Sequence, residues 1–187
     1  MFDVDRSSLT RRESVLLHKL EREFTPRLLA DVLLPLITQT SPVSLRALDW
    51  AVVNWSKKHN IICSSMTGGQ MFNIHHSYRK TLSFWKRRLF DPFRRRARIK
   101  VYVDDNVYET TLGQANFALW SYKTGVLSYV IGHVDSIEAD MNHVSRKNKT
   151  ERTEALRRGS RRKRTELTQT PDAICVAYKA TTTVHFT

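Results

Sequence analysis

The chain has 187 residues, 41% of them hydrophobic and 10% aromatic, enough for one folded domain and too many for a globally disordered chain. Its net charge of +13 and pI of about 10.1 call for an acidic partner, and two cysteines, Cys63 and Cys175, are too few for a disulfide scaffold. The longest apolar run, Leu28 to Ile37, carries Asp31 and Pro35 and is too short to span a bilayer, so no membrane partner is expected.

Ser7 and Ser8 are candidate caps for a helix from Leu9 to Phe24 with an apolar stripe of Leu9, Val15, Leu16 and Leu20. Thr25-Pro26 restarts the chain, and the apolar segment Arg27 to Thr38 predicts a buried helix bent at Pro35. Ser44 caps a helix from Leu45 to His59, where Leu45, Leu48, Val52 and Trp55 recur at helical spacing. A short strand, Ile61 to Ser64, and a glycine-containing loop follow. His75 to Phe90 reads as a helix with the stripe Tyr78, Leu82, Trp85 and Leu89, and with Arg79, Lys86, Arg87 and Arg88 largely off it. Asp91-Pro92 ends that helix.

Arg98 to Val103 and Val107 to Thr110 alternate as strands around Asp104-Asp105-Asn106, which makes a β-hairpin with a basic root. Thr111 caps a helix from Leu112 to Tyr122, Gly125 ends it, and a second apolar helix runs from Val126 to His133. An amphipathic segment opens at Asp135 and continues through Met141 and Val144. From Arg146 to Gln169 apolar residues nearly vanish, which predicts a basic flexible loop over 146–169. Ile174 to Phe186 alternates β-branched and aromatic residues and predicts a strand returning to the sheet. The expected fold class is α+β, mainly helical, with the β-hairpin and the C-terminal strand forming a small antiparallel sheet; a winged-helix-like core is one arrangement of these elements. Residues 1–145 and 170–187 form the expected single domain, with 146–169 as its loop.

The placement of the charge says more than its total. Arg79, Lys80, Lys86, Arg87, Arg88, Arg94, Arg95, Arg96, Arg98 and Lys100 are offset only by Asp91, a block of +9. A second block, Arg146 to Arg164, is +8, and it includes Arg157, Arg158, Arg161, Arg162, Lys163 and Arg164. Together they exceed the total charge, so the rest of the chain sums to −4. A solubilising surface mixes its signs; two dense blocks on a mildly acidic body are an electrostatic footprint for a polyanion. Arginine forks match phosphate oxygens in bidentate geometry. The helix and hairpin root form the expected rigid surface, and the Arg157–Arg164 cluster a flexible clamp, with a nuclear-import signal as its other reading. Phe84, Trp85, Phe90 and Phe93 interleave with the first block, where they either stack on unpaired bases or, for Trp85 above all, belong to the core.

Catalytic readings are weaker. Lys100, Asp104, Asp105 and Glu109 are the one group suited to a metal-dependent nuclease, but Asp104 and Asp105 are turn residues by type. Cys63 with His59, His75 and His76 lacks the paired spacing of a zinc site. No Gly-rich phosphate loop or nucleophile elbow occurs in the sequence. No enzyme, cofactor or metal is therefore expected.

The strings Trp50-Ala-Val-Val-Asn-Trp-Ser-Lys-Lys-His-Asn60, Phe72-Asn-Ile-His-His-Ser-Tyr78, Phe90-Asp-Pro-Phe93, Thr110-Thr-Leu-Gly-Gln-Ala-Asn-Phe117 and Glu138-Ala-Asp-Met141 resemble an uncharacterised protein family of nucleocytoplasmic large DNA viruses that infect amoebae and algae. In that family the segment after Gly113-Gln114 looks like Leu-Asn-Phe-Phe-Arg-Trp; here Ala115 and Ala118 stand where two large residues do. The resemblance implies a viral setting and a genome-binding or packaging role, and it supplies no catalytic residues. The expected partner is nucleic acid, duplex DNA ahead of RNA, gripped through its backbone with little sequence preference, and a homodimer is compatible with that role. An internal virion protein binding acidic partners and a sequence-specific transcription factor are the alternatives. The expected setting is the host nucleus, a cytoplasmic viral factory or the virion.

Overall fold

A computed structural model describes residues 2–65, 69–93 and 95–158. Strand β1 (Phe2–Asp3) opens the chain, and a 3-10 turn, Arg6–Ser8, is capped by the Asp5 carboxylate. Helix α1 (Arg11–Glu23) begins later than Ser7 or Ser8 would place it, because Thr10 and Glu13 form a reciprocal capping box. Its buried face is Leu16, Leu17 and Leu20, while Val15 is exposed. Thr25 caps α2 (Pro26–Leu28), which widens into a π-helical turn, Leu29–Leu33, before α3 (Leu34–Thr38). The expected disturbance at Pro35 is thus absorbed one turn upstream, where the Leu34 N–H reaches back to Leu29.

Ser44 caps α4 (Leu45–Trp50), which continues through a second π turn, Ala51–Trp55, into α5 (Ser56–His59) and stops at left-handed Asn60. Strand β2 (Ile62–Ser64) pairs antiparallel with β3 (Met71–Asn73), a partner the sequence reading did not place. Asn73 then caps α6 (Ile74–Leu89) through the His76 N–H. Strands β4 (Ile99–Val103) and β5 (Asn106–Thr110) form the expected hairpin, closed at Asp104-Asp105 with Asp104 at φ 51°. The third strand of this sheet is β1, in register Phe2 with Val101, and the strand order is β1-β4-β5. The fold is α+β with a small antiparallel sheet. The expected C-terminal strand, 174–186, lies outside the described residues.

Helix α7 (Leu112–Lys123) is the central element and is buried almost all round. Its fully buried Ala115 and Ala118 let α1, α6 and the first π turn approach it, where larger side chains would hold them off. Gly125, at φ 74°, turns the chain into α8 (Val126–Gly132). Helix α9 (Val134–Arg157) then runs for 24 residues. Residues 146–157 are therefore helical, not a loop. Lys, Arg and Glu are good helix formers, Thr150 and Thr153 hydroxyls return to carbonyls one turn back, and buried Ile137 and Met141 anchor the helix to the body.

Candidate nucleic-acid interface

The first basic block does not lie on one continuous helix. Lys86 leaves helical geometry at φ 62°, ψ 162°, a region ordinarily reserved for glycine. The expected helix over His75–Phe90 therefore breaks inside its cationic run. Upstream, the predicted stripe holds, with Tyr78 buried, Leu82 and Trp85 half-buried against the core, and Arg79 and Lys80 exposed; Leu89, past the break, is buried as well. Lys19 lies over the Trp85 ring and donates to Asn116, so Trp85 is a core-edge residue. Phe84 is exposed.

Downstream of the break, α7 fixes the chain. Asn116 donates to the Leu89 carbonyl at 2.8 Å, Gln114 to the Pro92 carbonyl at 3.0 Å, and the Asp91 N–H to the Gly113 carbonyl at 3.3 Å. A Cβ at Gly113 would meet the Arg88 carbonyl at 3.1 Å, so only glycine admits this close approach without displacement. Phe90 packs on Phe117, Trp120 and Tyr78. The strings Phe90–Phe93 and Thr110–Phe117 are thus one packed unit.

This fixed segment separates two clefts of about 510 and 530 Å³. The first, beside the sheet, is lined by Arg88, Arg96, Arg98 and Lys100 together with Asp3, Asp5 and Glu13. Its cations face these acids. Arg88 donates twice to buried Glu13, at 2.9 and 3.1 Å, and Lys100 sits in register between Asp3 and Glu109. Burial opposes ionisation of Glu13, but the Thr10 hydroxyl and N–H and the Arg88 guanidinium outweigh it and hold its pKa below the ordinary value.

The second cleft lies between α4, the 87–95 segment and α9. Arg46, Asp49, Trp50, Val53 and Asn54 line it from α4 and its π turn, and Arg87, Phe90, Asp91, Pro92, Phe93 and Arg95 from the block. Ser145 and Asn148 close it from α9. Asp91 is buried and occupied, accepting the Phe93 N–H at 3.0 Å and facing Arg95 at 3.4 Å. The Arg95 guanidinium lies 4.6 Å from the Phe93 ring centroid. Burial, then the neighbouring Asp91, push the Asp49 carboxyl up to about 6 against the pull of Arg95 and Arg87. Burial and Asp49 likewise push Tyr78 up to about 12.

Asp140 pins α9 in place by accepting the Trp50 indole N–H at 2.9 Å and Lys58 at 2.6 Å. Lys149 and Arg152 follow Ser145 and Asn148 by four residues, so they extend the cleft-facing stripe of α9. The two charge blocks, far apart in sequence, therefore meet at this cleft through Arg87 and Arg95 on one wall and α9 on the other.

Of the expected binding residues, Arg87 and Arg95 are brought together here. Arg88, Arg96, Arg98 and Lys100 line the other cleft, and Arg79, Lys80 and Lys86 remain on α6. Arg157 and Arg158 stand exposed at the end of α9, Arg158 within 3.9 Å of Glu154. Arg94, Arg161, Arg162, Lys163 and Arg164 lie outside the described residues. Sequence reasoning missed Arg46, Asp49, Asn54, Ser145 and Asn148. The signal was a second helical stripe, Arg46, Asp49, Val53, running beside the apolar one.

Residues 5–187 match the family of unknown function DUF7197. The chain belongs to that family. A curated relative is an uncharacterised protein, L507, of Acanthamoeba polyphaga mimivirus, 33% identical over 125 residues, 63% of this chain. The match takes in 48% of that relative, so the chain spans less than half its length. The family is viral and uncharacterised, in keeping with the resemblance to proteins of large DNA viruses. No solved structure matches the chain.

Proposed function

We propose that this DUF7197 protein binds duplex DNA through the phosphate backbone, with little sequence preference and without catalysis, in support of genome organisation, packaging or transcription of a large DNA virus. The observation that carries the proposal is that Arg87 and Arg95 of the first basic block face, across the α4–α9 cleft, the helix that bears the start of the second. Arg46, Arg87 and Arg95 ring it, with Arg146, Lys147, Lys149 and Arg152 exposed on the adjoining helix. A helix whose outer turns, residues 146–157, carry five cations against Glu151 and Glu154 suits tracking along phosphates. The viral relative supports the setting, which is the host nucleus, a viral factory or the virion.

Fluorescence anisotropy on random-sequence duplex across a salt range tests the proposal. With about five to eight phosphates contacted, log K falls against log[salt] with a slope of about −4 to −7. A slope shallower than about −2 overturns it, as does binding confined to one sequence. The double variant Arg46→Glu, Arg87→Glu weakens binding to all sequences alike and lowers the slope by about two.

A further inference from the structure

We infer that the α4–α9 cleft receives one unpaired nucleotide, its base edge against Asp49 and its phosphates on Arg46, Arg87 and Arg95. This rests on the polyanion-binding role above and sharpens it, because a duplex backbone is convex and cannot fill a cavity. At about 530 Å³ the cleft has the size of a small-molecule site. Its walls divide the chemistry of a nucleotide. Trp50, Val53, Pro92 and Phe93 form an apolar side, Arg46, Arg87 and Arg95 a cationic side, and Asn54 and Asn148 carry amides.

The two carboxylates are not equivalent. Asp91 is taken up by the Phe93 N–H and Arg95. Asp49, half-buried on the same cleft, accepts no hydrogen bond from a described residue. A carboxylate in such a place is satisfied by donors that arrive with a ligand. Among the bases, guanine offers two adjacent donors, the ring N–H and the exocyclic amine, which one carboxylate takes in bidentate fashion. Cytosine and adenine offer an amine, whereas thymine offers one N–H between two carbonyl acceptors that repel a carboxylate. The cleft therefore prefers guanine and disfavours thymine.

The test uses the full chain and hairpin DNA ending blunt, in a single-nucleotide guanine overhang, or in a thymine overhang. A guanine overhang binds at least about five-fold more tightly than the thymine overhang or the blunt end. In Asp49→Asn that guanine-to-thymine ratio falls to near one, and Phe93→Ala lowers the advantage of the guanine overhang over the blunt end. Equal affinity for all three hairpins, or a ratio unchanged in Asp49→Asn, overturns the inference. Should the blunt hairpin fail to bind with the expected salt slope while the guanine overhang binds and depends on Asp49, the backbone role fails and the nucleotide site stands. If no hairpin binds, both fall.

Discussion

Residues 86–98 present the same residue type to two sides of the molecule, and the two sides use it differently. Toward the sheet, Arg88 is taken up by buried Glu13, and Lys100 lies in register between Asp3 and Glu109; the Arg88 guanidinium there holds the start of α1 to the body. Toward α9, Arg46, Arg87 and Arg95 surround one occupied carboxylate and one, Asp49, that accepts no hydrogen bond among the described residues, and a further run of cations continues along the helix. The difference teaches that a run of arginines is not a unit of function. Each member takes its role from the acid or the space that the fold sets opposite it, since a paired charge contributes far less to a distant field than an unpaired one.

The largest break comes from the segment common to both clefts. Phe90→Ala removes the hub of the ring cluster with Tyr78, Phe117 and Trp120 and should cost about 3–5 kcal/mol in denaturant unfolding. Both clefts lose their shared wall, so binding falls with stability.

The next pair separates the two sides. Arg88→Ala should cost about 1–2 kcal/mol, since it leaves buried Glu13 without its charged donor, and it should change the salt slope little. Arg87→Ala should leave stability within about 0.5 kcal/mol and reduce the slope by about one. If Arg88→Ala instead weakens DNA binding as much as Arg87→Ala does, the two sides are one surface.

A smaller effect is pH-dependent. The folded-state pKa of Asp49 is raised to about 6, so its contribution favours the fold fully at acid pH, below its unfolded value, and is lost as pH rises through 6. Asp49→Asn keeps the neutral form throughout. Its melting temperature should exceed that of the parent chain by a few degrees at pH 7.5, and the gap should shrink as pH falls through 6 and close below the unfolded value of 3.8. A gap that does not change with pH would place the effect outside Asp49 titration.

The smallest change sharpens the hinge between the sides. Lys86 holds a backbone conformation that costs a non-glycine residue about 1–3 kcal/mol, so Lys86→Gly should be neutral or raise stability by about 1 kcal/mol despite the flexibility glycine gives the unfolded chain. A loss above about 1 kcal/mol in chemical denaturation would show the Lys86 stem to be packed.

Much of the fold was legible. Helix caps at Ser44 and Thr111, the restart at Thr25-Pro26, the hairpin turn at Asp104-Asp105 and the stripe on α6 are local, because each depends on hydrogen bonds, a fixed proline φ or periodicity within a few residues. Three features were not. The partnership of β1 with β4 joins residues about a hundred positions apart, and a two-residue strand has no periodicity to read. The break at Lys86 comes from the anchoring of Leu89 and Pro92 to α7, not from any helix breaker at that position. The continuation of α9 past Arg146 was hidden because apolar residues report burial, and a solvated helix has none to show.

The sequence by itself determined the α+β class, the two blocks of positive charge and the acidic remainder, since composition and short-range periodicity do not depend on where distant segments meet. Only the tertiary structure decided that the helix bearing the second block walls a cleft with the first, that Arg88 belongs to the body and Arg87 to the surface, and that Asp49 lies half-buried beside them. Those outcomes follow from side chains far apart in the chain being pressed against one another in a dense, low-dielectric interior, where a neighbour within a few ångströms sets whether a charge is neutralised or displayed.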